Sequence, residues 1–198
     1  LELSRRAPAK LRIGYSVTPP DGRAIDPEVR KTVLDTVKVL ERLGHHVEEH
    51  NMAFDADDAW KTYTHMSCVQ TAIVFDWLAG LVGRPVTQAD VEPVTWAVIE
   101  RGRATSGIRH IADVEAMRQI GRNICLTPML THLPRPVGYY DMSETDLDRY
   151  NAKWTDAVFA FPFNMSGQPA MSLPLGMSAS GAPIGVQAVA RYGDEAMI

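Results

Sequence analysis

The 198-residue chain is 45% hydrophobic and 22% charged, the composition of an ordinary globular protein and too apolar for disorder. Its net charge of −4, with acidic and basic residues interspersed, excludes the clustered Lys/Arg footprint of a nucleic-acid binder. Two cysteines, Cys68 and Cys125, are too few for a disulfide framework and point to a reducing cytoplasm.

Residues 1–10, with Arg5, Arg6, Pro8 and Lys10, read as a linker. Leu11, Ile13, Tyr15 and Val17 then alternate with Arg12, Gly14 and Ser16, the period-2 pattern of a strand. Asp26-Pro27 is a strong helix start, with Asp as N-cap and Pro at the first helical position. Val29, Val33, Val37, Leu40 and Leu43 share one helix face, Lys31, Asp35, Lys38 and Arg42 lie opposite, and Gly44 supplies the C-cap. His46 to His50 is a second short strand, so residues 11–50 form a βαβ unit with parallel strands.

A helical insertion is expected over 55–125. Its first helix runs from Asp57-Asp58 to about Gly80, with Trp60, Tyr63, Val69, Ile73 and Trp77 as core candidates. Asp76 interrupts its greasiest stretch, Thr71 to Val82, and no apolar run reaches the ~18 residues of a membrane span. Thr87 to Asp90 reads as a capping box for a helix to about Arg103, with Pro93 able to delay its start. Ser106-Gly107 opens a third helix carrying Ile111, Val114, Met117, Ile120 and Ile124. Residues 126–143 form a Pro-rich loop, and Ser143 to Asp146 caps a helix over 144–156. Over 161–191 the pattern returns to sheet, with Met171–Leu175 and Gly185–Ala190 flanking a turn in which Gly181 takes positive φ. Gly193 to Ile198 reads as a cap and one helical turn, too short to hold itself in water, and Leu1 is not an initiator Met, so the chain is expected to be truncated at both ends.

The chemistry-bearing motifs are sparse. No G-x-G-x-x-G follows Val17, and no phosphate loop is present. The six histidines are scattered without metal-ligand spacing. A lysine acts as a general base only where burial or a cationic neighbour lowers its pKa. The five lysines, Lys10, Lys31, Lys38, Lys61 and Lys153, all fall in linker or polar helical positions. Ser178-Ala-Ser180-Gly181 is turn chemistry, not a nucleophile loop.

Phe161-Pro-Phe-Asn-Met-Ser-Gly-Gln-Pro-Ala-Met-Ser-Leu-Pro-Leu-Gly176, followed by Ser180-Gly-Ala-Pro-Ile-Gly-Val-Gln-Ala-Val-Ala-Arg191, resembles the C-terminal hallmark of the amidase signature family. Leu11 to Ser16, Asp26 to Arg30, Leu40 to Glu49 and Cys125-Leu-Thr-Pro128 extend that resemblance along most of the chain. Asp90 to Ala104 and Gly138 to Tyr150 look like the branch of cyclic-dimer nylon-oligomer hydrolases and related bacterial amidases.

The resemblance implies an α/β fold, the C-terminal portion of a single amidase domain: a mixed, largely parallel sheet covered by helices, with a helical insertion and a late hairpin. It implies amide hydrolysis through an acyl-enzyme on a Ser–cis-Ser–Lys triad located upstream, without metal or organic cofactor. This piece alone is then inactive, and its partners are a small amide and the N-terminal half; no membrane or nucleic acid is expected, and a homodimer is open. Substrate-pocket candidates are the turn residues Asn164, Ser166 and Gln168, polar groups amid apolar neighbours, with Gly167, which allows close backbone approach, and Trp60, Tyr63, Cys68 and Trp96 from the helical insertion. The plain alternative for each is turn or core packing. The alternative functions are a glutaminase subunit of a tRNA-dependent amidotransferase and a non-catalytic scaffold of the same fold.

Overall fold

The computed structural model describes residues 9–52, 54–118 and 125–198. Their contacts divide the chain into two units, the first Leu1–Asp57, Arg118–Pro134 and Asp156–Ile198, the second Asp58–Met117 and Arg135–Thr155.

In the first unit the alternating segment forms β1 (Arg12–Tyr15), and the amphipathic segment forms α1 (Pro27–Arg42). The Asp26 side chain accepts from the Glu28 N–H at 2.8 Å, satisfying one of the orphan donors at the α1 start. The exposed side of α1 carries Asp35 between Lys31 and Lys38, at 2.5 and 2.9 Å. β2 (His46–Glu49) pairs with β1 in parallel, completing the βαβ unit.

β3 (Cys125–Pro128) then joins the other side of β1, also in parallel. The hairpin of β4 (Ala170–Met177) and β5 (Pro183–Val189) completes the order β2-β1-β3-β5-β4. Both hairpin pairings are antiparallel, so β5 alone runs against the other four strands. At the hairpin turn Gly181 has φ 83°, the positive value its position suggested.

Each sheet face has its own cover. Ile13, Val17, Leu126 and Val186 pack on Val33 and Val37 of α1. Cys125 and Val189 pack on the other face against Phe163, with Met52 beside them. All four β3 residues are buried, as a strand covered on both sides requires. This corrects the expectation of a loop from residue 126. The opening of the expected sheet segment is likewise a short helix, α6 (Phe161–Ser166), before β4 begins. Leu43 is 68% exposed and not core, because the helix ends one residue earlier and its face no longer meets the sheet.

In the second unit α2 (Ala56–Val82), α3 (Pro93–Ala104), α4 (Gly107–Arg118) and α5 (Leu147–Trp154) form the helical insertion. Pro93 does start α3, and the Thr87–Asp90 capping box closes a separate 3-10 turn. Asp146, not Ser143, caps α5, accepting from the N–H groups of Asp148 and Arg149. The core of α2 differs from expectation. Ala59, Thr62, Cys68 and Ala72 are buried, Trp60, Tyr63 and Val69 only partly, and Ile73 and Trp77 are 63% and 62% exposed.

The reason is close packing against α3. A Cβ on Gly102 would lie 2.1 Å from the Cys68 carbonyl oxygen and 2.9 Å from the Ala72 Cβ. Backbones that approach this closely admit only small side chains, so the large ones turn outward. Contrary to the expectation that no apolar run reaches the length of a membrane span, the 27-residue α2 is long and apolar enough to cross a membrane, by length and composition only. In α4, Ile111 is exposed, Val114 and Met117 are half-buried, and Ile120 and Ile124 lie outside the described residues.

Candidate functional site

The turn singled out in the first unit is built by the end of α6. Phe161, Pro162, Phe163 and Met165 anchor the helix by burial. Gly167 ends it at φ 68°, the left-handed conformation that favours glycine, and its N–H donates to the Phe163 carbonyl at 3.1 Å. A side chain there would meet Tyr192 only at an ordinary 3.5 Å, so backbone conformation rather than crowding selects glycine.

Gln168 is buried, and its Nε2 donates to the Ala190 carbonyl at 2.8 Å, tying the turn to the end of β5. The Ser166 hydroxyl donates between the Phe163 carbonyl (3.3 Å) and the Gln168 Oε1 (3.1 Å). Asn164 is exposed. Three of the four turn candidates therefore make local structure. Below them Gln187 donates to the Phe159 carbonyl at 3.2 Å and to the Thr127 hydroxyl at 3.3 Å, a buried polar pair that the sequence reading did not single out.

The second unit holds a cavity of about 630 Å³, within the size range of small-molecule sites. Three helices each give it one face: Trp60, Lys61, Thr64 and His65 from α2, Arg101 with Ala104 from α3, and Asp148, Asn151 and Ala152 from α5. Thr105 and Thr155, at the helix ends, complete the lining. Arg101 Nη1 donates to Asp148 Oδ1 at 2.5 Å. That bond holds the Asp148 carboxyl below its ordinary range and raises the guanidinium of Arg101. Behind His65 lies Asp113, 2% exposed, whose Oδ1 accepts from Arg109 Nε at 2.9 Å. His65 Nδ1 stands 3.6 Å from Asp113 Oδ2, and both atoms are buried without a hydrogen bond.

Of the insertion candidates, Trp60 lines this cavity, and Tyr63 packs on it with ring centroids 5.5 Å apart. Trp96 is half-buried beneath the Arg103 guanidinium, 5.9 Å from its ring. Cys68 is core, packed with Val94 and Leu147, and burial raises its thiol pKa, the wrong direction for a nucleophile. Lys61, His65, Arg101, Asp148 and Asn151 were missed. Their signal was spacing: 60/61/64/65, 101/104/105 and 148/151/152/155 each mark one helix face.

Among the described residues no lysine amine meets a serine hydroxyl. Lys31 and Lys38 pair with Asp35, and Lys153 Nζ donates to the Tyr139 carbonyl at 3.2 Å. Both cysteines are free, and no group of three or more His, Cys, Asp or Glu among the described residues could hold a metal ion.

Comparison with known proteins places this architecture. The family described as Amidase matches residues 2–198. The chain is 32% identical over 209 residues to a 6-aminohexanoate-cyclic-dimer hydrolase of Paenarthrobacter ureafaciens, and 33% identical to one of Pseudomonas sp. strain NK87. Each match covers 96% of this chain and 42% of the relative, so the chain spans well under half the length of those proteins. A solved 6-aminohexanoate cyclic dimer hydrolase superposes with TM-score 0.84 at 31% identity, over 99% of this chain and 44% of that one. On this family match, carried through a fold of the same design, the chain belongs to the amidase signature family.

Proposed function

We propose that this chain is part of an amide hydrolase that cleaves carbon–nitrogen bonds of non-peptide amides, linear or small and cyclic. The reaction runs through an acyl-enzyme on a Ser–cis-Ser–Lys triad carried by polypeptide preceding Leu1. The observation that supports this reading most is the pairing of 32–33% identity along 96% of the chain with coverage of 42% of the relatives. A relative of that length has room for a triad outside the matched portion. The separation of every described lysine amine from every serine hydroxyl agrees with it, since a serine nucleophile needs its base within hydrogen-bond reach. The two free, buried thiols suit a reducing cytoplasm.

In this reading the first unit contributes strands to a larger sheet, and the second contributes pocket wall through Trp60. The test compares two purified proteins on linear and small cyclic aliphatic amides: residues 1–198 alone, and the same chain with its upstream coding region. Turnover by the longer protein, with acyl transfer to hydroxylamine, and none by the shorter is the expected result. Steady turnover by residues 1–198 would refute an upstream triad. Glutamine-dependent ammonia release only in the presence of partner subunits would favour the amidotransferase reading instead.

A further inference from the structure

We infer that the cavity of the second unit is a binding site for small organic carboxylates with an aliphatic or aromatic tail. Its lining carries two basic side chains, Lys61 and Arg101, against one acidic side chain, Asp148. The Arg101–Asp148 bond engages Nη1 alone, leaving Nε and Nη2 of the fork without a partner among the described residues. A guanidinium fork matches a carboxylate with two parallel hydrogen bonds. The Lys61 ammonium is exposed and makes no ion pair with any described residue, and the Asn151 amide adds a further donor on the α5 side. Trp60, stacked on Tyr63, with Ala104 and Ala152, offers the apolar surface for a tail.

Asp148 is the element that tunes the site. It is 78% exposed, and its negative charge beside the guanidinium opposes a ligand carboxylate approaching the free Nε and Nη2 edge. Removing the charge of Asp148 therefore strengthens binding, an effect opposite to that expected if the pair served only to hold α3 to α5. The origin of the ligand rests on the amide-hydrolase reading, since hydrolysis of an amide releases a carboxylic acid, ionised at neutral pH, together with an amine. Binding itself requires no turnover.

The test is titration calorimetry at low salt on the purified protein with hexanoate, its neutral isostere hexanamide, and sulfate. Hexanoate is expected to bind more tightly than either of the others. Arg101→Met should weaken hexanoate by about tenfold or more, the scale of a lost charge-assisted fork, and Arg101→Lys by less. Asp148→Asn should tighten it by about threefold, a fraction of that scale. Arg101→Lys and Asp148→Asn keep the result interpretable if the methionine variant misfolds. Equal affinity for hexanamide or for sulfate overturns the inference, as does no hexanoate binding to the folded protein or an Asp148→Asn variant that binds no better. Hexanoate binding with no amide turnover by the longer protein that carries the upstream coding region leaves this site standing and removes the hydrolase reading; amide turnover by that longer protein without hexanoate binding does the reverse.

Discussion

Gly102 fixes how closely α3 approaches α2, and replacing it by alanine tests the packing argument with a sign that propensity alone would get wrong. In a helix interior, Gly→Ala is intrinsically favourable by about 1 kcal/mol. At Gly102 the added methyl would sit 2.1 Å from the Cys68 carbonyl oxygen and 2.6 Å from its carbonyl carbon, inside the 3.0 Å below which Cβ atoms essentially never come. Both atoms are backbone, so no rotamer change relieves the contact, and the helices must separate by about 1 Å. Overpacking of this kind costs about 1–3 kcal/mol, and loss of close contact around buried Cys68, Ala72 and Val94 adds to it. The net expectation for Gly102→Ala is a destabilisation of about 1–2 kcal/mol after the propensity gain. Gly80, in α2, has nothing within 4 Å of an added Cβ, so Gly80→Ala should stabilise by up to about 1 kcal/mol. Urea unfolding followed by far-UV circular dichroism reads both. A Gly102→Ala protein as stable as the parent would refute the close-approach account of why α2 buries its small residues.

Gln168→Leu should destabilise by about 1–3 kcal/mol, because it leaves the buried Ala190 carbonyl without its donor, and the same denaturation experiment measures it. Burial pushes the Cys125 thiol up to about 12 from 9.0. Between those values the unfolded chain binds fewer protons than the folded one, so stability falls as pH rises, by up to about 1.4 kcal/mol per unit, and is undiminished below pH 9. Cys125→Ala should flatten that slope in urea melts taken from pH 8 to 11, and an unchanged slope would assign it to other groups. For the same reason neither thiol should react with a thiol reagent at pH 8 until the protein is unfolded.

Local signals read well where one residue type has one physical use. Asp26-Pro27, the α1 face carrying Val29, Val33 and Val37, and the glycine at Gly181 form as written, whereas Leu43 falls past the helix end. β3 was hidden because a strand buried on both faces shows no alternation, and its Pro128 imitates the loop that follows. The α2 core was misread because periodicity ranks side chains by size, whereas the seam with α3 selects for smallness. The turn offers polar side chains next to buried Phe163 and Met165, but a sequence does not say that Gln168 spends its amide on Ala190. The cavity was opaque for a different reason. It joins α2, α3 and α5, and no local pattern shows that Lys61, Arg101 and Asp148 line one cavity from three helices.

The position of β1 bears on how the chain is made. Its partner on one side, β2, follows 34 residues later, with Arg12 opposite His46, while Gly14 on its other side must wait for Cys125. At about 5–20 residues per second of synthesis, that second edge stays unsatisfied on the ribosome for roughly 5–20 s. Throughout this interval the nascent βαβ unit carries an open hydrogen-bonding rim, and the core that Ile13, Val17, Val33 and Val37 form still lacks Leu126 and Val186, so it is then that chaperones would be expected to engage it.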